Sequence, residues 1–542
     1  MSSSNFVKSI IGNKKKPEVS QDQYVNKNEP WKYTIARIML TGITKNQYHK
    51  SIDDVVKEAI PLIIEASKKD PTYLLKAAVF ARKANLKGMV KVAIAALSTN
   101  ASDKFLTDNR NTIVNLLGTF HPGQLIQFVE LLKSKQFGKG FGSRPQKWIR
   151  SVMENWTNER IEEHTLKYAS DLYSLVRLVH PRFTDLLKGK LVDYILSSNS
   201  NDGKKHINSE YQQKGQACGS KQMAVEAMKA INDGKHETMM AKLMLEHNVP
   251  WDCVKGFHPI KGDVGLAMMT QMGLSALLLN IASLEKNNIL DTPDAIHALK
   301  LKLNEVKGGR SIPIDFAKPY MHSTNPKVKE LLVEAIVDSL SNSMPHIEGR
   351  KIGVSIDISG SMAGEPLVTA GLLTVPFLKA KDLWFTTFDT GLYEENTIDN
   401  NKTYYRQTYE RFTVCPQLKG CTSKDQVTSL LNLKTHGGTD VSISLRKALE
   451  TNRSLDLHVL ITDEQQNTGT PIMKVWKEYK EKVNPRAELW VINATNNEWH
   501  SADFNDPSVT VYQTMTPAIF NNLQFLGQDL VSGIENVDLN SN

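Results

Sequence analysis

Apolar residues recur at helical spacing through most of the first part of the chain. Residues 51–69 (SIDDVVKEAIPLIIEASKK) place an apolar side chain every three to four positions behind Ser51, a residue type that caps helix starts. Pro61 within this segment predicts a kink or a split into two helices. Similar stripes, separated by short breaks, follow at 73–83, 90–97, 112–117, 124–133, 144–156, 174–180 and 222–231. Paired helices of this size without a strict sequence period predict an irregular α-solenoid of HEAT type.

From Arg350 onward, short strand-like apolar runs alternate with helical ones. This alternation predicts a mostly parallel, doubly wound sheet whose ligand site lies at the carboxyl ends of the strands. The polar stretch Thr390–Gln426 predicts an insertion or an antiparallel excursion. The predicted strands are 352–356, 383–388, 457–462, 487–493 and 509–512, and the predicted helices are 366–378, 427–433, 442–450, 472–482 and 517–526.

These patterns predict an α + α/β protein in three parts. Residues 1–30 are polar and rich in lysine, which is typical of a basic disordered arm. Residues 31–345 are expected to form the helical-repeat domain, and residues 346–542 the α/β domain.

Composition and cysteine usage point to a soluble intracellular protein. The hydrophobic content of 40% and the charged content of 23% are ordinary for a globular chain. No apolar run approaches the roughly 20 residues that span a bilayer, and the start of the chain lacks a signal-peptide pattern. The four cysteines show no zinc or redox spacing, so we expect free thiols, a cytoplasmic location and no membrane partner; they are Cys218, Cys253, Cys415 and Cys421.

Charge is distributed unevenly along the chain. Residues 346–542 contain 18 Lys and Arg against 24 Asp and Glu, a net charge of −6. Since the whole chain carries 66 against 58, residues 1–345 carry 48 against 34, a net charge of +14. A basic domain of this size predicts a polyanionic partner such as nucleic acid, with a merely solvated surface as the alternative.

Candidate metal ligands occur in three motifs of the α/β part. The run KIGVSIDISGSM is an apolar strand that leads directly into Asp357, Ser359 and Ser361. Thr439 lies in HGGTD before an amphipathic helix, and the strand LHVLITD ends at Asp463. Carboxylate and hydroxyl oxygens suit Mg²⁺, Mn²⁺ or Ca²⁺. The alternative is that Asp463 caps the next helix and the serines satisfy a turn.

The three motifs together resemble the metal-ion-dependent adhesion site (MIDAS) of von Willebrand factor A domains. That resemblance implies a divalent cation, Mg²⁺ above all, held by Asp357, Ser359, Ser361, Thr439 and Asp463. It also implies an open coordination position for a carboxylate of a protein partner.

The order of a basic helical part and an A domain resembles the Ro ribonucleoprotein family, whose helical unit is the TROVE module. Segments 144–158 (RPQKWIRSVMENWTN), 171–182 (DLYSLVRLVHPR) and 272–281 (MGLSALLLNI) are similar to three stretches of that module. The chain departs from the family in lacking its glycine-rich G-G-x-x-F segment, and Leu279 stands where the core helix usually has Arg.

The Ro resemblance implies an RNA-binding function. In that family a ring of helical repeats binds small structured Y RNAs outside and the 3′ single-stranded ends of defective non-coding RNAs in its central hole. Carried over by position, the RNA-contacting residues are Arg177, His180 and Arg182, together with Lys147 and Arg150. For His180 the alternative is a helix end satisfied by a carbonyl, and for the basic residues it is a solvated surface.

Two functions from different classes follow from these patterns. The first is an RNA-binding scaffold that offers its metal site to a protein partner. The second is a metal-dependent protein–protein adaptor. An enzyme is not expected, because the sequence lacks a Walker loop, a dinucleotide fingerprint and a GxSxG motif.

Overall fold

The computed structural model describes most of the two predicted folded parts. The arm 1–30 lies outside the described residues except for Pro30, as do Ser51, residues 395–414 of the polar stretch and the predicted helix 517–526. The described residues are 30–41, 52–83, 88–138, 140–198, 217–232, 234–308, 313–340, 349–394, 415–416, 418–419, 421–463, 468–494, 506, 508–513 and 530–539.

Helices fill the described chain from Pro30 to Leu340, which confirms the helical character of this part. Pro61 does not split its helix, so that alternative is wrong: the helix continues from Ile52 to Lys69. Pro61 is exposed while Ile60 and Ile63 are buried, so packing of the apolar face outweighs the backbone hydrogen bond lost at proline. The helices are Pro30–Thr41, Ile52–Lys69, Pro71–Lys83, Gly88–Asn100, Asp103–Asp108, Arg110–Gly118, Pro122–Lys133, Ser143–Glu154, Asn158–Lys167, Ala169–Val179, Leu186–Ser198, Ser220–Ala230, Glu237–Glu246, Trp251–Lys255, Gly262–Gln271, Leu274–Lys286, Pro293–Leu303, Ala317–His322 and Pro326–Leu340.

Helices near one another in sequence pack side by side. Pro71–Lys83 contacts Gly88–Asn100, and Glu237–Glu246 contacts Gly262–Gln271. The interior between such helices contains fully buried aromatic residues, among them Phe80, Phe120 and Trp148. Packing of this kind is expected of an α-solenoid, while the ring of repeats stays a prediction.

A six-stranded sheet forms the centre of the α/β part, in the order β3-β2-β1-β4-β5-β6. All neighbouring pairs are parallel except β2 and β3, so the mostly parallel sheet is confirmed. The short antiparallel β3 lies within the predicted excursion. The strands are β1 Lys351–Asp357, β2 Asp382–Phe388, β3 Leu392–Glu394, β4 Leu457–Thr462, β5 Glu488–Asn493 and β6 Val509–Gln513.

Helices follow the strands of this sheet and bury it. The α-helices that the structure describes here are Glu365–Thr374, Ser423–Leu431, Ile443–Glu450 and Ile472–Lys482, and Leu530–Glu535 follows further along the chain. Trp476 and Tyr479 are fully buried in one core cluster with residues of β2, β4 and β5. The Tyr479 hydroxyl donates to the Arg453 carbonyl at 2.8 Å and accepts from the Leu455 amide at 2.8 Å. This phenol therefore ties the helix to the chain that enters β4.

The described chain divides into two compact units that depart from the expected division at residue 345. One unit contains Trp31–Met39, Val56–Lys302 and the chain from Val531 onward, and the sheet lies in the other unit with residues from Leu303 to Leu530. Helices Ala317–His322 and Pro326–Leu340 therefore belong with the sheet, and Leu530–Glu535 belongs largely with the helical unit. Among the described residues, no helix is both long and apolar enough to cross a membrane.

Candidate functional site

Three aspartates lie at the carboxyl ends of the central parallel strands. Asp357 is the last residue of β1, Asp389 follows β2 directly, and Asp463 follows β4 directly. Their exposures are 0%, 1% and 0%. Because β1 pairs with both β2 and β4, the three aspartates lie at the same edge of the sheet.

The Asp357 carboxylate accepts hydrogen bonds from the turn that follows β1 and from the neighbouring strand β4. Its Oδ1 accepts from the Ser359 amide at 2.8 Å, and its Oδ2 accepts from the Thr462 hydroxyl at 2.6 Å. Burial raises the pKa of Asp357 to about 6, with a smaller contribution from the negative charge of Asp463. A cation bound beside Asp357 would favour the ionised form of this carboxylate, which burial and the neighbouring negative charge disfavour.

The loop that contains Thr439 docks on the turn that contains the two serines. The His436 amide donates to the Ile358 carbonyl at 2.6 Å, and the Gly360 amide donates to the Gly437 carbonyl at 3.2 Å. These bonds bring Thr439, which is buried, to the same edge as Asp357 and Asp463.

The serines of the turn differ in exposure. Ser359 is buried and Ser361 is exposed, and their hydroxyl oxygens lie 3.2 Å apart. Each hydroxyl oxygen retains acceptor capacity beside this contact, which a cation can use.

The donor set of this edge fits a hard divalent cation. It offers the carboxylates of Asp357 and Asp463 and the hydroxyls of Ser359, Ser361 and Thr439, and oxygen ligands of this kind suit Mg²⁺. Within the part of the chain that the structure describes, no three His, Cys, Asp or Glu side chains are grouped to hold a metal ion. A cation here would therefore depend on hydroxyl and water ligands as much as on charge.

Asp463 does not cap the next helix that the structure describes. That helix begins at Ile472, with Pro471 at its N-cap position, nine residues beyond Asp463. Residues 464–467, which follow Asp463, lie outside the described residues, so the capping alternative stays open there. The turn alternative does describe part of the serine motif, since the Ser359 amide bonds to Asp357 and a short 3₁₀ turn follows at Gly360–Met362.

Sequence reasoning missed two buried aspartates beside the predicted ligands. Asp389 accepts hydrogen bonds from His436 and from neighbours in its own loop. Asp440 accepts from the Ser442 amide at 3.1 Å and the Ser442 hydroxyl at 2.8 Å, and it pairs with Arg446. The signal for Asp389 was available, because the predicted strand 383–388 ends one residue before an aspartate, as the other two strands do.

The candidate RNA-contacting residues gather where two helices of the helical unit meet. Arg150, on helix Ser143–Glu154, donates through Nε to the Val179 carbonyl at 2.7 Å, at the end of helix Ala169–Val179. The Arg182 amide donates to the Glu154 carboxylate at 2.8 Å. These two contacts hold the end of one helix against the other. Arg150 is half-buried, so its side chain has a structural role here whatever else it contacts.

The other candidates on this surface are exposed. Arg177 packs over the Tyr173 ring at 5.5 Å and donates to its hydroxyl at 3.1 Å, which holds the guanidinium in place on the surface. His180 caps the helix in the left-handed conformation, with φ 47°, and its amide donates to the Val176 carbonyl. The backbone of His180 thus serves the helix end while its imidazole faces solvent. Lys147 lies one turn before Arg150 and is exposed. We call Lys147, Arg150, Arg177, His180 and Arg182 the basic cluster.

Comparison with known proteins agrees with this architecture. Residues 351–512 match the family model described as the Ro60 vWA domain. The fold is similar to the crystal structure of the Deinococcus radiodurans RO (RSR) protein, with a TM-score of 0.65 at 16% sequence identity, over 94% of this chain and 100% of that one. The chain therefore has the fold of that RO protein, and its α/β domain is similar to the Ro60 vWA domain.

Proposed function

We propose that this chain is an RNA-binding scaffold of Ro type. Its ligands would be small structured, Y-like RNAs and the 3′ single-stranded ends of defective non-coding RNAs. The observation that carries the proposal is the basic cluster, which lies within residues 1–345, the part of the sequence with a net charge of +14. The Ro60-type A domain and the Ro fold support the same function.

The chemistry of the basic cluster suits a phosphate backbone. Arg177, His180 and Arg182 are exposed, and no ion pair with an acidic side chain engages them among the described salt bridges. Arg and Lys side chains that neutralise phosphates release counterions, and this gives salt-dependent affinity. The Arg177–Tyr173 pair adds a fixed planar group next to the cluster, a kind of surface on which unpaired bases stack.

The test is the salt dependence of RNA binding by the full chain. For an RNA with a structured stem and a 3′ single-stranded tail, we expect log K to fall with log salt with a slope of about −3 to −6, at about −0.7 per single-strand phosphate. Replacing Arg177, His180 and Arg182 together by Ala should weaken binding and flatten the slope by about 1 to 2.

A control of similar charge is available in the A domain. Lys474, Lys477 and Arg486 are exposed there, and replacing all three by Ala lowers the net charge without changing the basic cluster. This variant should bind RNA nearly as the parent does. If the cluster variant keeps the parent's affinity and slope, the RNA surface lies elsewhere. If the parent shows no salt-dependent affinity at all, the scaffold proposal fails.

The proposed Mg²⁺ site at the edge of the sheet supports a second candidate function. This is a metal-dependent protein–protein adaptor that binds a partner carboxylate through Mg²⁺. Here Asp357, Asp463 and the three hydroxyls would hold the cation, which would supply an electrophilic position for an acidic side chain. Purified protein with the absorbance ratio of nucleic-acid-free protein, together with partner binding abolished by EDTA, would favour the adaptor. Neither candidate assigns catalysis to the chain.

A further inference from the structure

We infer that Asp389 is a positioning residue for the proposed metal site: through His436 it fixes the loop that presents Thr439, and this contact sets the affinity for Mg²⁺. The inference rests on the metal site proposed above, but it concerns residues outside the predicted ligand set. Asp389 and His436 were not among the candidates from sequence.

The Asp389 carboxylate accepts hydrogen bonds from two loops. Within its own loop, the Gly391 amide donates to Oδ1 at 2.5 Å and the Tyr393 hydroxyl lies 3.3 and 3.2 Å from the two carboxylate oxygens. From the other loop, the Nδ1 of His436 lies 2.6 Å from Oδ2. One carboxylate therefore joins the loop after β2 to the loop of Thr439.

The main chain of Asp389 fixes the other end of the same loop. The Asp440 amide donates to the Asp389 carbonyl at 2.9 Å. Thr439 thus lies between two anchors on Asp389, one at His436 and one at Asp440. The same loop is hydrogen-bonded to Ile358 and Gly360 in the turn that contains Ser359 and Ser361. A shift of the loop would therefore displace both Thr439 and the two serines.

Gly437 shows how closely this loop packs on Asp389. Its φ is +67°, a conformation that side chains rarely adopt, and an added Cβ would lie 2.6 Å from Asp389 Oδ2. The contact between the loop and the carboxylate therefore requires glycine at this position.

Burial distinguishes the two members of the Asp389–His436 pair. The Asp389 side chain is 2% exposed, whereas the His436 side chain is 60% exposed. A buried carboxylate costs free energy unless it is hydrogen-bonded, so the donors stabilise it in place. His436, by contrast, fills no core volume, so its removal tests the hydrogen bond without opening a cavity.

The experiment is calorimetric titration of Mg²⁺ into the full chain. We expect His436→Ala to weaken Mg²⁺ binding by about 10- to 100-fold, the usual effect of losing a residue that supports metal ligands. His436→Asn, whose amide can donate from near the Nδ1 position, should recover most of the affinity. Gly437→Ala should weaken binding as His436→Ala does, because it displaces the same contact from the backbone side.

The control is Asp382→Ala, which removes an exposed aspartate at the opposite end of β2 and should bind Mg²⁺ like the parent. Unfolding midpoints in EDTA accompany each titration. A purely structural role would lower the midpoint of His436→Ala and leave its Mg²⁺ affinity at the parent value, and that result would overturn the inference. Equal weakening in His436→Ala and His436→Asn would also overturn it, since the hydrogen bond would then not be the cause.

The Asp463→Ala variant separates this inference from the metal site itself. If Asp463→Ala loses Mg²⁺ while His436→Ala and Gly437→Ala bind like the parent, positioning by Asp389 is refuted and the metal site stands. If the parent shows no saturable Mg²⁺ binding, both are refuted.

Discussion

His458 is a titratable side chain in a strand that the sequence presents as apolar. It is fully buried in β4, and its Nε2 lies 3.1 Å from the Ser444 hydroxyl. Its neighbour on β1 is Gly353, where an added Cβ would lie 2.8 Å from the His458 Nδ1. Burial lowers the pKa of His458 to about 3. The imidazole is therefore neutral in the folded protein throughout the physiological range.

This pKa predicts acid sensitivity of the α/β unit. In the unfolded chain His458 binds a proton below pH 6.5, whereas in the folded chain it does so only near pH 3. Stability is thus fully present above pH 6.5 and is lost as pH falls towards 3, by at most about 1.4 kcal/mol per pH unit. Denaturant unfolding monitored at several pH values should show this slope in the parent and a smaller one in His458→Asn. The exposed His297→Asn should keep the parent's slope, and an unchanged slope in His458→Asn would contradict the assignment.

The metal site gives a second prediction at single residues. Asp463→Ala combined with Ser359→Ala removes one of two carboxylates and one hydroxyl from the proposed shell. We expect Mg²⁺ to raise the melting temperature of the parent but not that of the variant. Asp463 is one of two charged ligands in the proposed shell, so its loss should weaken Mg²⁺ binding strongly. Thermal unfolding with Mg²⁺ and with EDTA measures this. The same Mg²⁺-induced rise in both proteins would exclude the site.

At the residue scale, sequence predicted what depends on local pattern. Asp357 and Asp463 end apolar strands, and parallel strands bring such ends to one edge without further information. His458 and Asp389 depend on partners from distant segments, Ser444 and His436, and no local pattern specifies those contacts. The residues of the basic cluster were predicted from the resemblance to the Ro family. The hydrogen bond from Arg150 to the Val179 carbonyl joins two helices, and no local sequence pattern predicts it.

At the element scale, hydrophobic periodicity located most strands and helices. The strand predicted at 457–462 and the helix predicted at 472–482 have the observed limits. The helix predicted at 366–378 instead ends at Thr374 and continues as a 3₁₀ turn, Val375–Lys379, around Pro376. Proline lacks the amide that a regular turn would use, so the tighter turn replaces it.

The helix Leu530–Glu535 leads to a prediction about the helical unit. Ile534 is fully buried there, and the Lys76 ammonium donates to the Glu535 carbonyl at 2.6 Å. Ile534→Ala should destabilise this unit by about 2 to 5 kcal/mol, because a buried side chain is replaced by a cavity. The measurement is the denaturant midpoint of the full chain.

The adjacent residue supplies the control for this helix. The Glu535 side chain is exposed and its carboxylate pairs with Lys32 at 2.9 Å, so Glu535→Ala opens no cavity and should cost less than about 1 kcal/mol. Equal midpoints for the two variants would mean that the helix adds little to the unit.

At the scale of the whole molecule, the packing of helix Pro326–Leu340 predicts where a stable α/β fragment begins. Lys424, on helix Ser423–Leu431, pairs with Glu330 at 2.8 Å and with Glu334 at 3.3 Å, and Leu332 and Ile336 are buried. A fragment that begins at residue 346 lacks this helix and exposes the surface that it covers. We expect a fragment of residues 303–530 to unfold at a clearly higher temperature than one of residues 346–530.

Sequence composition shows a change near residue 346, but it does not show which helices pack in the unit that contains the sheet. The switch from helical to alternating apolar patterns is local, whereas packing depends on contacts between residues far apart in the chain. If the fragments 346–530 and 303–530 have the same melting temperature, the domain boundary near residue 345 predicted from the sequence would be supported.

The return of the chain to the helical unit also has a consequence for biosynthesis. Val531, Ile534 and Val537 are buried in that unit, although the entire sheet precedes them in the sequence. The ribosome therefore delivers every strand before it delivers the residues that complete the helical layer around Phe80 and Thr112. Domains generally fold as units during synthesis, so the α/β domain can fold first and the helical domain, although begun earlier, is finished afterwards.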